Sequence, residues 1–366
     1  MTVWLWVGFI VLVLGMLALD LGVFHRRPHV IGTREALAWT AFWVIIALLF
    51  NSAVYYMYEH HWLGIGLHIG HQLGGRQAAL EFFSGYLIEK SLSLDNIFVI
   101  AMIFAYFRVP AVYQHRVLFW GILGALIMRG VMIAAGVALI RRFDWITYVF
   151  GAILFLTAVK MLLTSEESVE PENNILVRVA RRWYPVSPNF EGQRFFTRID
   201  GRAAVTPLFL VLLVVESTDV LFAVDSIPAI FAVTRDPFIV FTSNVFAILG
   251  LRSLYFALAS LMDRFRYLKL SLVFVLAFVG VKMILAHAFP DALSIEASLI
   301  VICSILAVGM LASVLAARRM GRLGLRAGPA ESDTAATSTV SGSPDAKSRE
   351  NPRTPAPRGE ITGQAS

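Results

Sequence analysis

Apolar runs long enough to cross a bilayer recur from one end of this chain almost to the other. They constrain its fold more than any motif does. About 20 apolar residues span the hydrocarbon core, and in lipid each backbone N–H and C=O must find its partner inside the segment, which favours the helix. On that rule nine helices are predicted, at 3–24, 36–58, 81–107, 117–140, 144–163, 206–234, 238–260, 267–288 and 294–316. Only 15% of the 366 residues are charged, against about 25% in a soluble domain. The fold class expected is therefore all-α, a polytopic transmembrane bundle.

The loops suggest an orientation. One side receives Arg26, Arg27, Arg34, Arg108, Arg116, six Arg between 178 and 202, Arg264, Arg266, Lys269, Arg318, Arg319, Arg322 and Arg326. The other receives Arg76, Arg141, Arg142 and Arg235. Basic residues stay on the cytoplasmic side, so the N-terminus is expected outside and the C-terminus in the cytoplasm. The same segment-end arginines account for much of the net charge of +6, and no nucleic-acid footprint is visible. The single cysteine, Cys303, excludes an internal disulfide or a thiolate metal site.

Two apolar segments carry charges where charge is costly. EFFSGYLIEKSLSLDNIFVI, residues 81–100, holds Glu89, Lys90, Asp95 and Asn96; PLFLVLLVVESTDVLFAVDSIPAI, residues 207–230, holds Glu216, Asp219, Asp225 and Ser226. An acid at the bilayer centre costs roughly 2.5–3.5 kcal/mol on insertion scales. Five of them point to a path or site for a cation. At about 100° per residue, Glu89, Ser93 and Asn96 share a face and Asp95 lies about 120° away. Glu216, Asp219 and Ser226 share one face of the second segment, and Thr218 and Asp225 another. Pro228 removes an N–H and should open the helix near Asp225. The donors are all oxygens, which suits hard divalent ions such as Mn²⁺, Mg²⁺ or Ca²⁺. Lys90, Arg129 and Arg252 are the cationic partners in the membrane, leaving two negative charges that a divalent ion or protons would balance. The competing reading is that the arginines pair with the acids and lock helices together.

An internal repeat links the two segments. SLDNIFVI at 93–100 matches STDVLFAV at 217–224, RRF at 141–143 matches DRF at 263–265, VKM recurs at 159–161 and 281–283, and Arg129 answers to Arg252. Each unit holds three helices, so the second enters from the opposite side, an arrangement typical of transporters. The regions are then 1–80, two helices and an external loop; 81–163, the first repeat; 164–205, a cytoplasmic loop; 206–288, the second repeat; 289–327, the last helix and its basic end; and 328–366, a disordered Ser/Pro-rich tail. The mixed charge of 164–205 favours a solvated connector over a short amphipathic helix at NILVRVARRW. His60, His61, His68 and His71 read as exposed loop residues. Asp20 reads as a helix-end carboxylate, and Lys160 and Lys282 as snorkelling residues. No nucleophile–His–acid grouping, phosphate-binding Gly loop or haem motif is present, so an enzyme is not expected.

LALDLGVFHR at 17–26, GYLIEKSLSLDNIFV at 85–99 and VESTDVLFAVDSIPAI at 215–230 resemble the signatures of the TerC family of integral membrane proteins. That family includes the Alx-type proteins and is placed in the wider LysE transporter superfamily. The resemblance implies two three-helix repeats, a bacterial inner-membrane location and metal-ion efflux, with manganese the best-supported ion. It also carries an association with tellurite resistance, and plastid relatives are implicated in membrane-protein assembly. Carried onto this chain, the ion-binding positions are Glu89, Asp95, Asn96, Glu216, Asp219, Asp225 and Ser226. The implied partners are the lipid bilayer, a divalent metal ion and possible membrane proteins. No resident cofactor is implied, Mn²⁺ being the transported ion. The implied alternative is a non-transporting component of a tellurite or stress-resistance assembly.

Overall fold

The computed structural model describes residues 3–22, 32–67, 73–143, 145–164, 174–199, 201–259, 268–285, 289 and 294–324. Expectations placed on Arg26, Arg27, His68, His71, Arg264, Arg266, Arg326, the side chain of Asp20 and the tail at 328–366 lie outside them. The chain divides into Met1–Arg319 and Met320–Ser366, the latter described only over 320–324, where it is helical. All other described residues belong to the first unit.

Eleven α-helices are described: α1 (Val3–Gly22), α2 (Thr33–Glu59), α3 (Gly75–Tyr106), α4 (Ala111–Arg142), α5 (Ile146–Leu163), α6 (Ile175–Trp183), α7 (Pro207–Phe231), α8 (Pro237–Ile248), α9 (Leu251–Ala259), α10 (Leu268–Leu285) and α11 (Ile295–Gly324). By length and composition, α2, α4, α5, α7 and the first 22 residues of α11 can each cross a membrane, and the bent pair α8–α9 makes a sixth. The helix α3 equals α4 in length at 32 residues. It carries Glu81, Glu89, Lys90 and Asp95 along its middle, so length and apolarity alone do not mark it as a span. The protein is thus a mostly helical chain with five or six span-like helices among the described residues.

Aromatic side chains join the first helices to the centre. Phe50 of α2 lies 4.5 Å from Phe246 of α8 and 5.6 Å from Phe82 of α3, and Phe9 of α1 lies 5.5 Å from Phe50. Close approach elsewhere depends on small residues, as expected where apolar lipid offers no hydrophobic drive for association. A Cβ on Gly151 of α5 would sit 2.7 Å from Ile284 of α10, and one on Gly280 of α10 would sit 2.9 Å from the backbone of Phe155. Of α8, every residue but Pro237 and Phe241 is buried.

Three expectations change. First, α7 runs unbroken through Pro228. The proline lies in its last turn, where its missing N–H costs one bond, to the Val224 carbonyl, and the helix still continues to Phe231. The break falls in the next segment, where the apolar run predicts one helix over 238–260. There Leu249 (φ −56°, ψ 128°) and Gly250 (φ +83°) form a turn that separates α8 from α9, which bend by 40°. Trp43 sits 2.8 Å from where a Gly250 Cβ would be, so position 250 needs glycine twice over, for φ and for space. Second, residues 175–183 are helical, not a connector. The side chain of Asn174 caps them, accepting from Leu176 N at 2.9 Å and Val177 N at 3.3 Å. Third, the chain is not wholly α: β1 (Phe196–Ile199) and β2 (Arg202–Val205) pair antiparallel, with Gly201 at φ +78° ahead of β2. The Asp200–Gly201 dipeptide is a two-residue hairpin signal that the charge pattern of the surrounding segment obscures.

Candidate cation path and its arginine clamp

Arg129, only 2% exposed on α4, gathers side chains from three other helices. Its Nε donates to one oxygen of Asp219 at 3.2 Å and its Nη2 to the other at 3.0 Å, a two-pronged contact with α7. Its Nη1 donates to Glu89 of α3 and lies 3.3 Å from Ser226 Oγ and 3.5 Å from Asn244 Oδ1 of α8. Asn244 Nδ2 donates to the second Glu89 oxygen at 3.3 Å, and Ser93 Oγ lies 3.5 Å from the first. Glu89 is fully buried and Asp219 is 15% exposed. A guanidinium stays charged in such a place and its planar fork matches a carboxylate, so two acids share one permanent cation.

The other predicted residues divide around this clamp. Asp95, Asn96, Asp225 and Ser226 line a cavity of about 570 Å³, with Thr157, Lys160, Asn174 and Thr218. Thr157 Oγ1 donates to Asp225 at 2.8 Å. The helical phases place Thr218 and Asp225 together, as found. The side chain of Asp95, off the Glu89 stripe, lines the cavity instead of joining the clamp. Ser226 belongs to both groups, so the cavity ends where the clamp begins. Glu216 joins neither: its carboxylate packs on Gly124 of α4, where a Cβ would collide with it. Lys90, expected among the acids, donates to the Ala247 carbonyl of α8 at 3.2 Å. Arg252 is buried on α9 at 2% exposure. Lys160 reaches the cavity and is also exposed.

Among the described residues, no three His, Cys, Asp or Glu side chains stand together in a way that would hold a metal ion. What the cavity offers a cation is two carboxylates, Asp95 and Asp225, with the amide of Asn96 and the hydroxyls of Thr157, Thr218 and Ser226.

A second polar cavity, of about 380 Å³, is one that sequence reasoning missed. It is lined by Gln77, Glu81, Thr147, Thr234, Arg235 and Asp236. Glu81 precedes Asp95 by 14 residues on α3, about 21 Å along the axis. Glu81 accepts from Thr234 Oγ1 at 2.5 Å and Gln77 Nε2 at 3.0 Å. Asp236 caps α8 through Phe238 N at 2.8 Å and Ile239 N at 3.3 Å, and accepts from Tyr58 at 2.8 Å. Burial pushes the Asp236 carboxyl up, and these hydrogen bonds pull it back. The Asp236–Pro237 pair is a helix-start signal and could have been read as one. Glu81 lies at the edge of the first acidic segment and carries no distinguishing mark.

The family profile described as "Integral membrane protein TerC family" matches residues 74–321, from the start of α3 through most of α11. The motif at 17–26 precedes that match. A Myxococcus xanthus protein, "Uncharacterized membrane protein STKORF319", is 52% identical over 316 residues, covering 86% of this chain and 93% of its own. "Putative membrane-bound redox modulator Alx" of Escherichia coli K12 is 48% identical over 294 residues, 80% of this chain and 89% of its own. An "Uncharacterized membrane protein" of Rickettsia bellii is 41% identical over 310 residues, 85% of this chain and 97% of its own. No solved structure matches the chain. The acidic segments on α3 and α7, the clamp between them and the cavity they line all fall inside the matched region, and the chain belongs to the TerC family of integral membrane proteins.

Proposed function

We propose that this protein exports a divalent metal ion, Mn²⁺ foremost, across a bacterial inner membrane, with its N-terminus outside. The observation that carries the reading is the cavity in which Asp95 and Asp225 stand with four neutral oxygens and which ends at Ser226, against the clamp. A hard cation entering there would be held by oxygen ligands of the kind Mn²⁺ accepts. Beyond Ser226 it would meet Glu89 and Asp219, two acids that share the single positive charge of Arg129. Passage then requires Arg129 to give up one of the two acids, so the arginine would act as the resident cation that the travelling ion displaces. Proton exchange at the same acids would supply coupling, and collapse of the pH gradient should then lower export.

In this reading nine spans are built from two inverted repeats, α3–α5 and α7–α10, as in the LysE superfamily. Reciprocal packing supports the symmetry: α3 lies against α8 and α4 against α7, while α3 meets α7 and α5 meets α10. That exchange of partners is what a two-fold axis between the units would produce. No enzymatic step and no resident cofactor enter the mechanism.

One observation favours a second reading. The clamp is a complete, buried ion network, and such networks can serve only to hold helices in register. On that account the protein is a non-transporting component of a stress or tellurite-resistance assembly. The deciding experiment measures cellular manganese in an exporter-deficient bacterium expressing the wild type, Asp95→Asn or Asp225→Asn at matched membrane abundance. Export predicts that the wild type lowers manganese and both variants are present but inert. Unchanged manganese with the wild type removes the exporter reading.

A further inference from the structure

The helix α6 belongs neither to the cavity wall nor to the clamp, yet its nine residues divide into three faces. Val177 is buried and Ala180 half-buried against the core, which fixes the side turned to the protein. Ile175, Leu176, Val179 and Trp183 are 73%, 44%, 48% and 76% exposed. At about 100° per residue they form one contiguous apolar sector. Arg178, Arg181 and Arg182, all exposed, fill the remaining sector. A soluble protein has no use for four apolar side chains on one exposed face of a short helix.

The depth of α6 identifies what covers that face. Asn174 Nδ2 donates to Ser217 Oγ of α7 at 2.6 Å. Ser217 lies ten residues along α7 from Pro207, about 15 Å at the helical rise. Asn174 also lines the cavity with Lys160 and Met161 of the last turn of α5, so the capped end of α6 lies beside α7 and level with the end of the α5 span. A helix so placed, with an apolar sector, a flanking basic sector and a tryptophan at its far end, fits the bilayer interface. Exposed Arg194, Arg198 and Arg202 on the following segment add to the same charge.

We infer that α6 is an interfacial helix that inserts Ile175, Leu176, Val179 and Trp183 among acyl chains and binds anionic phospholipid headgroups through Arg178, Arg181 and Arg182. Because Asn174 both caps α6 and lines the cavity, this lipid contact begins at the cavity wall. The inference is independent of which ion, if any, the protein moves.

The test uses the full chain with Cys303→Ser and Val179→Cys, labelled with a fluorophore and reconstituted in phosphatidylcholine vesicles with or without phosphatidylglycerol. Doxyl-labelled lipid should quench the label, more strongly as phosphatidylglycerol than as phosphatidylcholine. That preference should be lost when Arg178, Arg181 and Arg182 are all replaced by Gln. Leu162→Cys, on a span and 59% exposed, sets the scale for a residue facing acyl chains and reports insertion of each variant. Quenching at 179 by aqueous iodide instead of lipid overturns the inference. So does shielding from both quenchers, which would mean a second copy covers the face, and so does quenching without headgroup preference.

Discussion

Replacing Arg129 by Met is the sharpest perturbation of the clamp, because it removes charge while keeping an unbranched apolar stem. The arginine engages Asp219 through two nitrogens and Glu89 through a third, with Ser226 and Asn244 at the rim. Without it Glu89, fully buried, keeps only Asn244 and Ser93 as partners. Breaking one partner out of a buried ion network costs about 3–5 kcal/mol, and Asp219, at 15% exposure, contributes the smaller share because water screens it. Arg129→Met should therefore destabilise by about 3–5 kcal/mol, while Arg129→Met with Glu89→Gln and Asp219→Asn should recover most of that loss, since neutral replacement of a whole buried network is often tolerated. The assay is reversible unfolding in mixed micelles, followed by a fluorophore on α5. If the single variant unfolds with the wild type, the carboxylates are not held dry. If the triple variant is as unstable as the single one, the penalty is packing and not unpaired charge, and the electrostatic account fails.

Four further outcomes rest on particular contacts. Gly124→Val should cost about 1–3 kcal/mol by overpacking, because a Cβ there meets the Glu216 carboxylate; adding Glu216→Ala should return part of it in the same unfolding assay. Gly250→Ala should cost at least about 1 kcal/mol for its left-handed φ, and more for the clash with Trp43. Asp236→Ala should lose a cap worth about 1 kcal/mol and orphan the Tyr58 hydroxyl, whereas Asp236→Asn should keep most of the stability; hydrogen exchange at Phe238 and Ile239 reads the difference. Asn174→Ala should fray α6, seen as faster exchange at Leu176 and Val177, whose amides donate to the Asn174 side chain.

Much of the molecule was legible because lipid imposes local rules. Helix positions follow from apolar runs, and α2, α5 and α10 lie within a few residues of the expected ranges. The acids drew attention because a charge inside an apolar segment is visible from that segment alone. The hairpin at 196–205, α6 and the α8–α9 break were harder to read. Each is written in a few capping or turn residues, Asn174, Gly201 and Gly250, set among segments whose apolar or charged averages say something else.

The sequence by itself determined that this is a membrane protein of the TerC family, roughly where most of its long helices run, and that two of its apolar segments carry carboxylates. Only the tertiary structure decided which acids meet a cation. Glu89 and Asp219 converge on Arg129, Asp95 and Asp225 face a cavity, and Glu216 packs on a glycine. The physical reason is that apolarity and backbone satisfaction are properties of one segment. The partner of a buried charge depends on how helices distant in sequence pack, and a turn of one residue on any of them, about 100°, would hand Arg129 a different set of neighbours.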